Sequence, residues 1–437
     1  MKSFWRPTIG LEVHVELNTK AKMFCHCRSK HFGQKPNTHT CPVCLGLPGA
    51  LPVPNLKAIE KTLLIALAFD SQINNHFWFD RKNYFYPDLP KGYQISQHFK
   101  PIGIGGAVPI LAKEKIKRIA LDNIHLEEDT GKLIHQNQET LIDFNRSGVP
   151  LVEIVSQPVL TSALEAKLYL QRLQQTLRWL DVSDCDMEKG SMRLEVNISV
   201  SKTKELPDYK VEIKNLNSFK FVQKAINYEI NRQINLLEKG KKPKQETRGF
   251  NLKKGITYSQ RSKEVAKDYR YFPEPDIPPF SFQDQEIDKI KKGISGLPWD
   301  QEVYLFKLGL DPNSIALLTK KKKLINLFKS ALILGKKNKV SAQVIAKCLV
   351  NNPSLRKESA LSLIKKIIED QSKFTLSKKE IKNLVKQTLK ENPKAVGDYQ
   401  KGKAQVIGFL IGQVRIKAKG KADPKLISKA IEEKLKK

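Results

Sequence analysis

The chain has 437 residues, a formal net charge of +32 and 40% hydrophobic residues. That length supports two or three domains with a large core, and the positive balance excludes an acidic, self-repelling scaffold. The longest apolar run, around Leu63–Phe69, is too short to cross a bilayer. No secretory or transit leader is expected from the N-terminal residues, so the expected compartment is the cytoplasm, with no membrane association. The charge is uneven: residues 281–437 hold 35 basic against 15 acidic side chains. Such a surplus, mostly lysine, points to a polyanion, most often a nucleic acid; a lysine-biased genome is the competing source.

Ile9–Leu17 alternates apolar Ile9, Leu11, Val13, Val15 and Leu17 with polar Glu12, His14 and Glu16. A period of two predicts a half-buried strand, with the three polar side chains on one face at spacings of ~6.6 Å. Two carboxylates flanking an imidazole on one rigid strand suit a divalent cation or phosphate chemistry; a solvated polar face is the competing reading. Cys25, Cys27, Cys41 and Cys44 follow, as C-x-C and C-x-x-C pairs with 13 residues between them. In a chain expected in the cytoplasm this predicts a closed, structural zinc site rather than a disulfide framework. Cys185 and Cys348 stand alone and read as free thiols.

Asn55–Phe69 predicts a helix capped by Asn55, with Leu56, Ile59, Leu63, Ala66 and Leu67 on one face. Phe79–Gln97 mixes bases and aromatics: Arg81, Lys82 and Lys91 stand beside Tyr84, Tyr86 and Tyr93, a mixture that holds phosphate and stacks a base. Ile124–Gly131 ends a strand with Glu127, Glu128 and Asp129, a costly cluster unless a cation or water offsets it. Leu141–Phe144 and Val152–Val155 read as strands around Asn145, Arg146, Ser147 and Gly148.

Ser162–Leu180 reads as a helix with a Ser162/Glu165 capping box and a stripe of Leu164, Leu168, Leu173, Leu177 and Leu180. Arg193–Val200 and Tyr209–Lys214 alternate again, presenting Arg193, Glu195 and Asn197, then Lys210, Glu212 and Lys214. Ser218–Lys239 is a further helix, stopped by Gly240. Strands with one apolar and one charged face, interrupted by helices, predict an α+β domain: a mostly antiparallel sheet with helices behind it and a concave polar face in front. That face should gather Glu12, His14, Glu127, Glu128, Glu195 and Glu212. The proline-dense segment Asp268–Phe280 marks a boundary, and beyond it lysine, leucine and isoleucine recur at helical spacing. The expected parts are a cradle over 1–288, an all-α connector over 289–337 and a small helical tail over 338–437. In the tail, Lys401–Lys403 and Lys417–Lys421 should flank a helix over Val406–Ile416. No Walker loop, dinucleotide fingerprint or nucleophile elbow is present.

Six ordered stretches, Ile9–Leu17, Asp80–Asp88, Tyr93–Gln97, Leu126–Lys132, Glu212–Phe219 and Asp268–Asp276, resemble the B-subunit family of bacterial aspartyl/glutamyl-tRNA(Asn/Gln) amidotransferases, the GatB/GatE family. The resemblance covers about the first 280 residues and resumes in Gly402–Asp423. It implies ATP-dependent phosphorylation of the side-chain carboxylate of misacylated Glu-tRNA(Gln) or Asp-tRNA(Asn). Ammonia released from glutamine by a separate amidase, the A subunit, then displaces the phosphate, and a small C subunit makes up the heterotrimer. It implies Mg²⁺ on Glu12, His14, Glu127, Glu128 and Glu212 as the catalytic set, and Zn²⁺ on Cys25, Cys27, Cys41 and Cys44. Arg81, Lys82, Tyr84, Tyr86, Lys91, Asn145, Arg146 and Ser147 are the expected ATP- and substrate-binding residues, and the tail, YqeY-like in this family, is expected to contact the tRNA. Between Asn352 and Gln400 the chain is shorter than is usual for the family. Charge and cysteines alone also fit a non-catalytic zinc-containing RNA-binding protein, and the acids alone fit a divalent-metal hydrolase that needs no ATP.

Overall fold

The computed structural model describes residues 5–112, 115–262, 268–294, 296–372, 376–401, 403, 405–419 and 421–435. The Arg6–Glu16 strand lies inside a ten-stranded sheet. On one side of it come Met192–Ser201, Val211–Lys214, Glu246–Asn251 and Ile256–Ser262; on the other come Pro150–Ser156, Lys115–Glu128, Gly103–Ile104 and Gln72–Ile73. Ala107–Ala112 also pairs with Lys115–Glu128. The pairings are antiparallel except that between Val211–Lys214 and Glu246–Asn251. Those two strands are joined through the Phe219–Glu238 helix, the kind of long crossover that a parallel pair requires. The α+β class and the mostly antiparallel sheet follow the sequence expectation.

Alternation places Ile9, Leu11, Val13 and Val15 in the core, each at most 1% exposed. Ile154, Ile124, Val196 and Ile213 lie beside them in the same core. Each such side chain contributes roughly 1.5–3 kcal/mol by burial. Three helices carry the other half of that core: Leu56–Ala68, Ala163–Trp179 and Phe219–Glu238. All three begin at the predicted caps. Asn55 accepts from the amides of Lys57 and Ala58, Ser162 from that of Glu165, and Ser218 from that of Phe221. Two details differ. Leu56 and Leu164, predicted on the buried stripes, are 63% and 46% exposed, because both stand in a first turn before the helix settles on the sheet. Glu165 bonds the amide and hydroxyl of Thr161, not the Ser162 amide, so the capping box is not reciprocal.

The chain divides into two compact units, Met1–Gln301 and Glu302–Lys437. The second is helical throughout its described residues. Within it, Lys378–Glu391, Val406–Lys417 and Pro424–Leu435 bury Ile381, Val385, Leu410, Val414, Ile427 and Ile431 against one another. The Val406–Ile416 helix is therefore present; Gly402 and Gly420 lie outside the described residues.

Candidate functional site

The polar face of the sheet is built by register. His14 pairs with Arg193 on one neighbouring strand and with Glu153 on the other, and Glu153 pairs in turn with His125. Because residues in register share a face, these four side chains form one row across four strands. Glu12 and Glu195 form the next row. His14 Nε2 lies 3.3 Å from Glu153 Oε2 and 3.7 Å from Glu127 Oε1, and His125 Nε2 lies 3.1 Å from Glu153 Oε2. Burial pushes the His14 imidazole down, but Glu153, Glu127 and Glu195 outweigh it and raise it to about 9. Burial pushes Glu153 up, and the two histidines outweigh that and hold it well below the usual carboxylate range. Glu12 moves the other way: burial, then Glu153 and Glu195, raise it. Ligand atoms of His14, Glu127 and Glu153 all fall within 4.8 Å of one another, a spacing that fits one divalent cation.

A cavity of about 650 Å³ stands over this face. His14, Glu127, Arg193 and Lys214 line it from the sheet, and Lys82, Tyr84, Tyr86 and Tyr269 from the loops. Lys82 lies 5.0 Å from the centre of the Tyr269 ring. Burial pushes its ammonium down, but Glu127, Tyr271 and Glu153 outweigh this and keep it charged. Lys214 bonds Glu195 at 2.7 Å and lies 3.7 Å from Glu212. Glu212 accepts from Thr247 Oγ1 at 2.7 Å.

The remaining predicted residues are placed elsewhere. Glu128 follows Glu127 on a strand, so the pleat turns the two carboxylates apart. Glu128 accepts from Lys91 Nζ and from the Ile95 amide, and both lie in a separate cavity of about 220 Å³ beside the cysteines. Arg81 is bonded to Glu274 through two nitrogens, at 2.7 and 2.8 Å, and to Asp276 at 3.1 Å. It anchors the Tyr269–Asp276 segment rather than standing open to a nucleotide. Asn145 is fully buried and bonded to the His39 amide and the Lys35 carbonyl. Arg146 donates to the carbonyls of Thr130 and Gly131, and Ser147 to that of Cys44.

The four predicted sulfur ligands do converge: the Sγ atoms of Cys25, Cys27, Cys41 and Cys44 lie within 4.8 Å of one another. A hydrogen bond from Cys25, with the Lys22 ammonium beside it, outweighs burial and lowers Cys44 to about 4. Lys22 is fully buried, 3.5 Å from Cys44 Sγ. A buried cation beside four converging sulfurs suits a tetrathiolate metal centre, whose surplus negative charge it would offset.

Four residues of this face were not among the expected site residues: Glu153 and His125, and also Asp129 and Arg193, which the sequence placed only in an acidic cluster and on a polar strand face. Glu153 had a signal: one acid in the apolar run Pro150–Val155, in step with the alternation. His125 lies two residues before Glu127, on the same face. Asp129 and Arg193 meet at 2.8 Å, a pairing that only the fold brings together.

The family model described as the GatB/GatE catalytic domain matches residues 7–288, and that described as the GatB domain matches 313–435. An aspartyl/glutamyl-tRNA(Asn/Gln) amidotransferase B subunit from Thermoanaerobacter pseudethanolicus is 42% identical over 475 aligned positions, covering 99% of this chain and all of the relative. The B subunits of the same name from Thermus thermophilus and Thermotoga maritima are 40% and 39% identical, with 99% and 98% of each chain covered. The chain belongs to the family of aspartyl/glutamyl-tRNA(Asn/Gln) amidotransferase B subunits that carry the GatB/GatE catalytic domain.

Proposed function

We propose that this chain, as the B subunit of a tRNA-dependent amidotransferase, activates the side-chain carboxylate of glutamate or aspartate esterified to tRNA(Gln) or tRNA(Asn). ATP is the phosphoryl donor. A carboxylate oxygen bonds to the γ-phosphorus as the bond to the β-phosphate oxygen breaks, and ADP leaves. An amidase, the A subunit, and a small C subunit make up a heterotrimer with this chain. Ammonia that the amidase releases from glutamine attacks the acyl carbon and expels phosphate. The observation that carries this reading is the convergence of His14, Glu127 and Glu153 beneath a cavity that Lys82 and three tyrosines line.

His14, Glu127 and Glu153 would hold the divalent cation, which we take to be Mg²⁺ and which, when bound, screens the repulsion between carboxylate and triphosphate. Lys82 supplies a fixed positive charge at the cavity wall. Tyr84, Tyr86 and Tyr269 offer ring surface for a base and keep water from the reactive anhydride. Glu12 and Glu212, two strands apart, supply further acidic groups on the same sheet. Cys25, Cys27, Cys41 and Cys44 would hold a structural Zn²⁺. We also assign residues 1–288 to the catalytic cradle, 289–337 to a connector and 338–437 to a tRNA-binding tail. Among the described residues no helix is long and apolar enough to cross a membrane; we place the reaction in the cytoplasm, with the aminoacylated tRNA.

The test reconstitutes the chain with its A and C partners. It follows labelled Glu-tRNA(Gln) and Asp-tRNA(Asn) to their amides, with and without ATP. ATP-dependent product that is lost on Glu127→Ala is expected. No product from either tRNA, with competent partner subunits, would overturn the proposal.

A further inference from the structure

Among the described residues, Lys82, Lys214 and Arg193 line the cavity over the sheet, and they are not equivalent. Lys214 is already matched by Glu195. Lys82 is a single-point ammonium over a tyrosine ring. Arg193 differs from both. It stands on the Met192–Ser201 strand directly opposite His14. Its guanidinium meets Asp129 Oδ2 at 2.8 Å through one terminal nitrogen, and its side chain remains 32% exposed where it borders the cavity.

Asp129 is itself fixed. Its Oδ1 accepts from the Thr130 amide at 2.8 Å and lies 3.7 Å from Arg146 Nε. Arg146 is tied to the carbonyls of Thr130 and Gly131 at 2.9 and 2.8 Å. One terminal nitrogen of the guanidinium is therefore held against a carboxylate that is itself anchored before any ligand arrives. A planar fork held on one side leaves N–H donors on the other, the geometry that takes a carboxylate or phosphate through paired hydrogen bonds.

We propose that Arg193 receives the side-chain carboxylate of the aminoacyl group, with Asp129 as its positioning residue. This rests on the function proposed above and assigns the group that recognises the acceptor. Position in the sheet decides between carboxylate and phosphate. Glu127 and Glu153 lie on the strands to one side of Arg6–Glu16, and Arg193 lies on the strand to the other. Neighbouring strands are ~4.8 Å apart, so Arg193 stands one strand from His14 and two from Glu153. The carboxylate oxygen must reach the γ-phosphorus from the side opposite the departing ADP oxygen. With the phosphates gathered toward Glu127 and Glu153, Arg193 occupies the flank from which the carboxylate enters. A guanidinium also stays charged throughout the physiological range, so it holds the carboxylate without protonating it.

The experiment uses the complete heterotrimeric enzyme without ATP and measures affinity by filter binding. Its probes are Glu-tRNA(Gln), Gln-tRNA(Gln) and the same tRNA uncharged. Wild type should bind the carboxylate-bearing tRNA more tightly than its neutral amide. Arg193→Gln should abolish that preference, a loss of roughly 10- to 100-fold for a hydrogen-bonded charge contact, with uncharged tRNA bound as before. In turnover, kcat should fall with the KM for ATP unchanged. The substitution strands the Asp129 charge, so Asp129→Asn/Arg193→Gln, which removes both charges, is the second variant and should lose the same preference. A wild type that does not distinguish the two tRNAs, or variants that keep the distinction, overturns the assignment. So does a raised KM for ATP with tRNA preference intact, which moves Arg193 to the nucleotide. Wild-type amide formation run in parallel separates the two ideas: its absence rejects the function, whereas its presence with preference retained in the variants rejects only the role of Arg193.

Discussion

Arg81 and Lys82 are adjacent on the short Asp80–Asn83 strand, yet the pleat sends one to Glu274 and the other to the cavity wall. Their substitutions should therefore fail differently. Arg81→Ala leaves Glu274, which is 3% exposed, without its counter-charge, and should destabilise the first unit by about 3 kcal/mol in a denaturant titration. Lys82→Met should leave that midpoint nearly unchanged and lower amide formation in the reconstituted enzyme. Equal stability losses in the two variants would contradict this division. Glu153→Gln removes the carboxylate shared by His14 and His125. It should reduce amide formation at least 100-fold, roughly the effect of losing one group that stabilises developing charge, while tRNA binding is retained. The motif residues Glu12, His14 and Glu127 were legible because alternation alone assigns a side chain to a face. Glu153 was equally legible by alternation but sits in a run that otherwise reads as core. The ion pair of Arg81 was not legible for another reason: a basic residue in a polar loop looks free until the chain some 190 residues later supplies Glu274.

Helix starts were the easiest elements to read, because a cap is a local bond between residues two or three apart. Ser162→Ala should cost about 1 kcal/mol of stability. Glu165 one turn later adds an acid-sensitive contribution. Burial pushes its carboxyl up, but Lys117 at 2.8 Å and the Thr161 amide outweigh this and hold it below its usual value. A depressed carboxyl contributes stability that is fully present above about pH 4.5 and is lost as the pH falls below it. Glu165→Gln should therefore flatten the acid limb of stability against pH, measured by denaturant midpoints between pH 6 and pH 3. The parallel pair of strands around the Phe219–Glu238 helix was not legible, since nothing local states which way a strand runs beside its neighbour. Nor was the grip of the cysteine loop on residues 142–148. Asn37 bonds the Ile142 carbonyl and the Phe144 amide, and Lys22 reaches the Phe144 carbonyl. Chelation of the Zn²⁺ proposed at the four cysteines, or Cys44→Ala, should raise amide hydrogen exchange in both segments together. A rise confined to residues 25–50 would show that the two are not coupled.

Within the second unit the helices after Ser377 form a module with a core of its own, which decides how the tRNA contact proposed for it is tested. Truncation at Asn392 would strip Leu410, Val414, Ile427 and Ile431 from Ile381 and Val385 and leave an unfolded stump. Removal from Ser377 onward takes away the whole module, with 17 basic and 6 acidic residues. If this module touches tRNA, the fall of log affinity with log salt should become shallower by ~0.7–0.9 for each phosphate no longer neutralised; an unchanged slope would exclude it. The first unit is organised differently, and its order of synthesis has a consequence of its own. Arg6–Glu16 is an interior strand, and its partners at Pro150–Ser156 and Met192–Ser201 are made long after it. At ~5–20 residues per second it waits about 10–35 s on the ribosome with at least one hydrogen-bonding edge unpaired. Such an edge recruits other strands, and charges along it suppress this. Glu12, His14 and Glu16 are those charges, so the polar face of the finished sheet also disfavours pairing of the nascent strand with another chain.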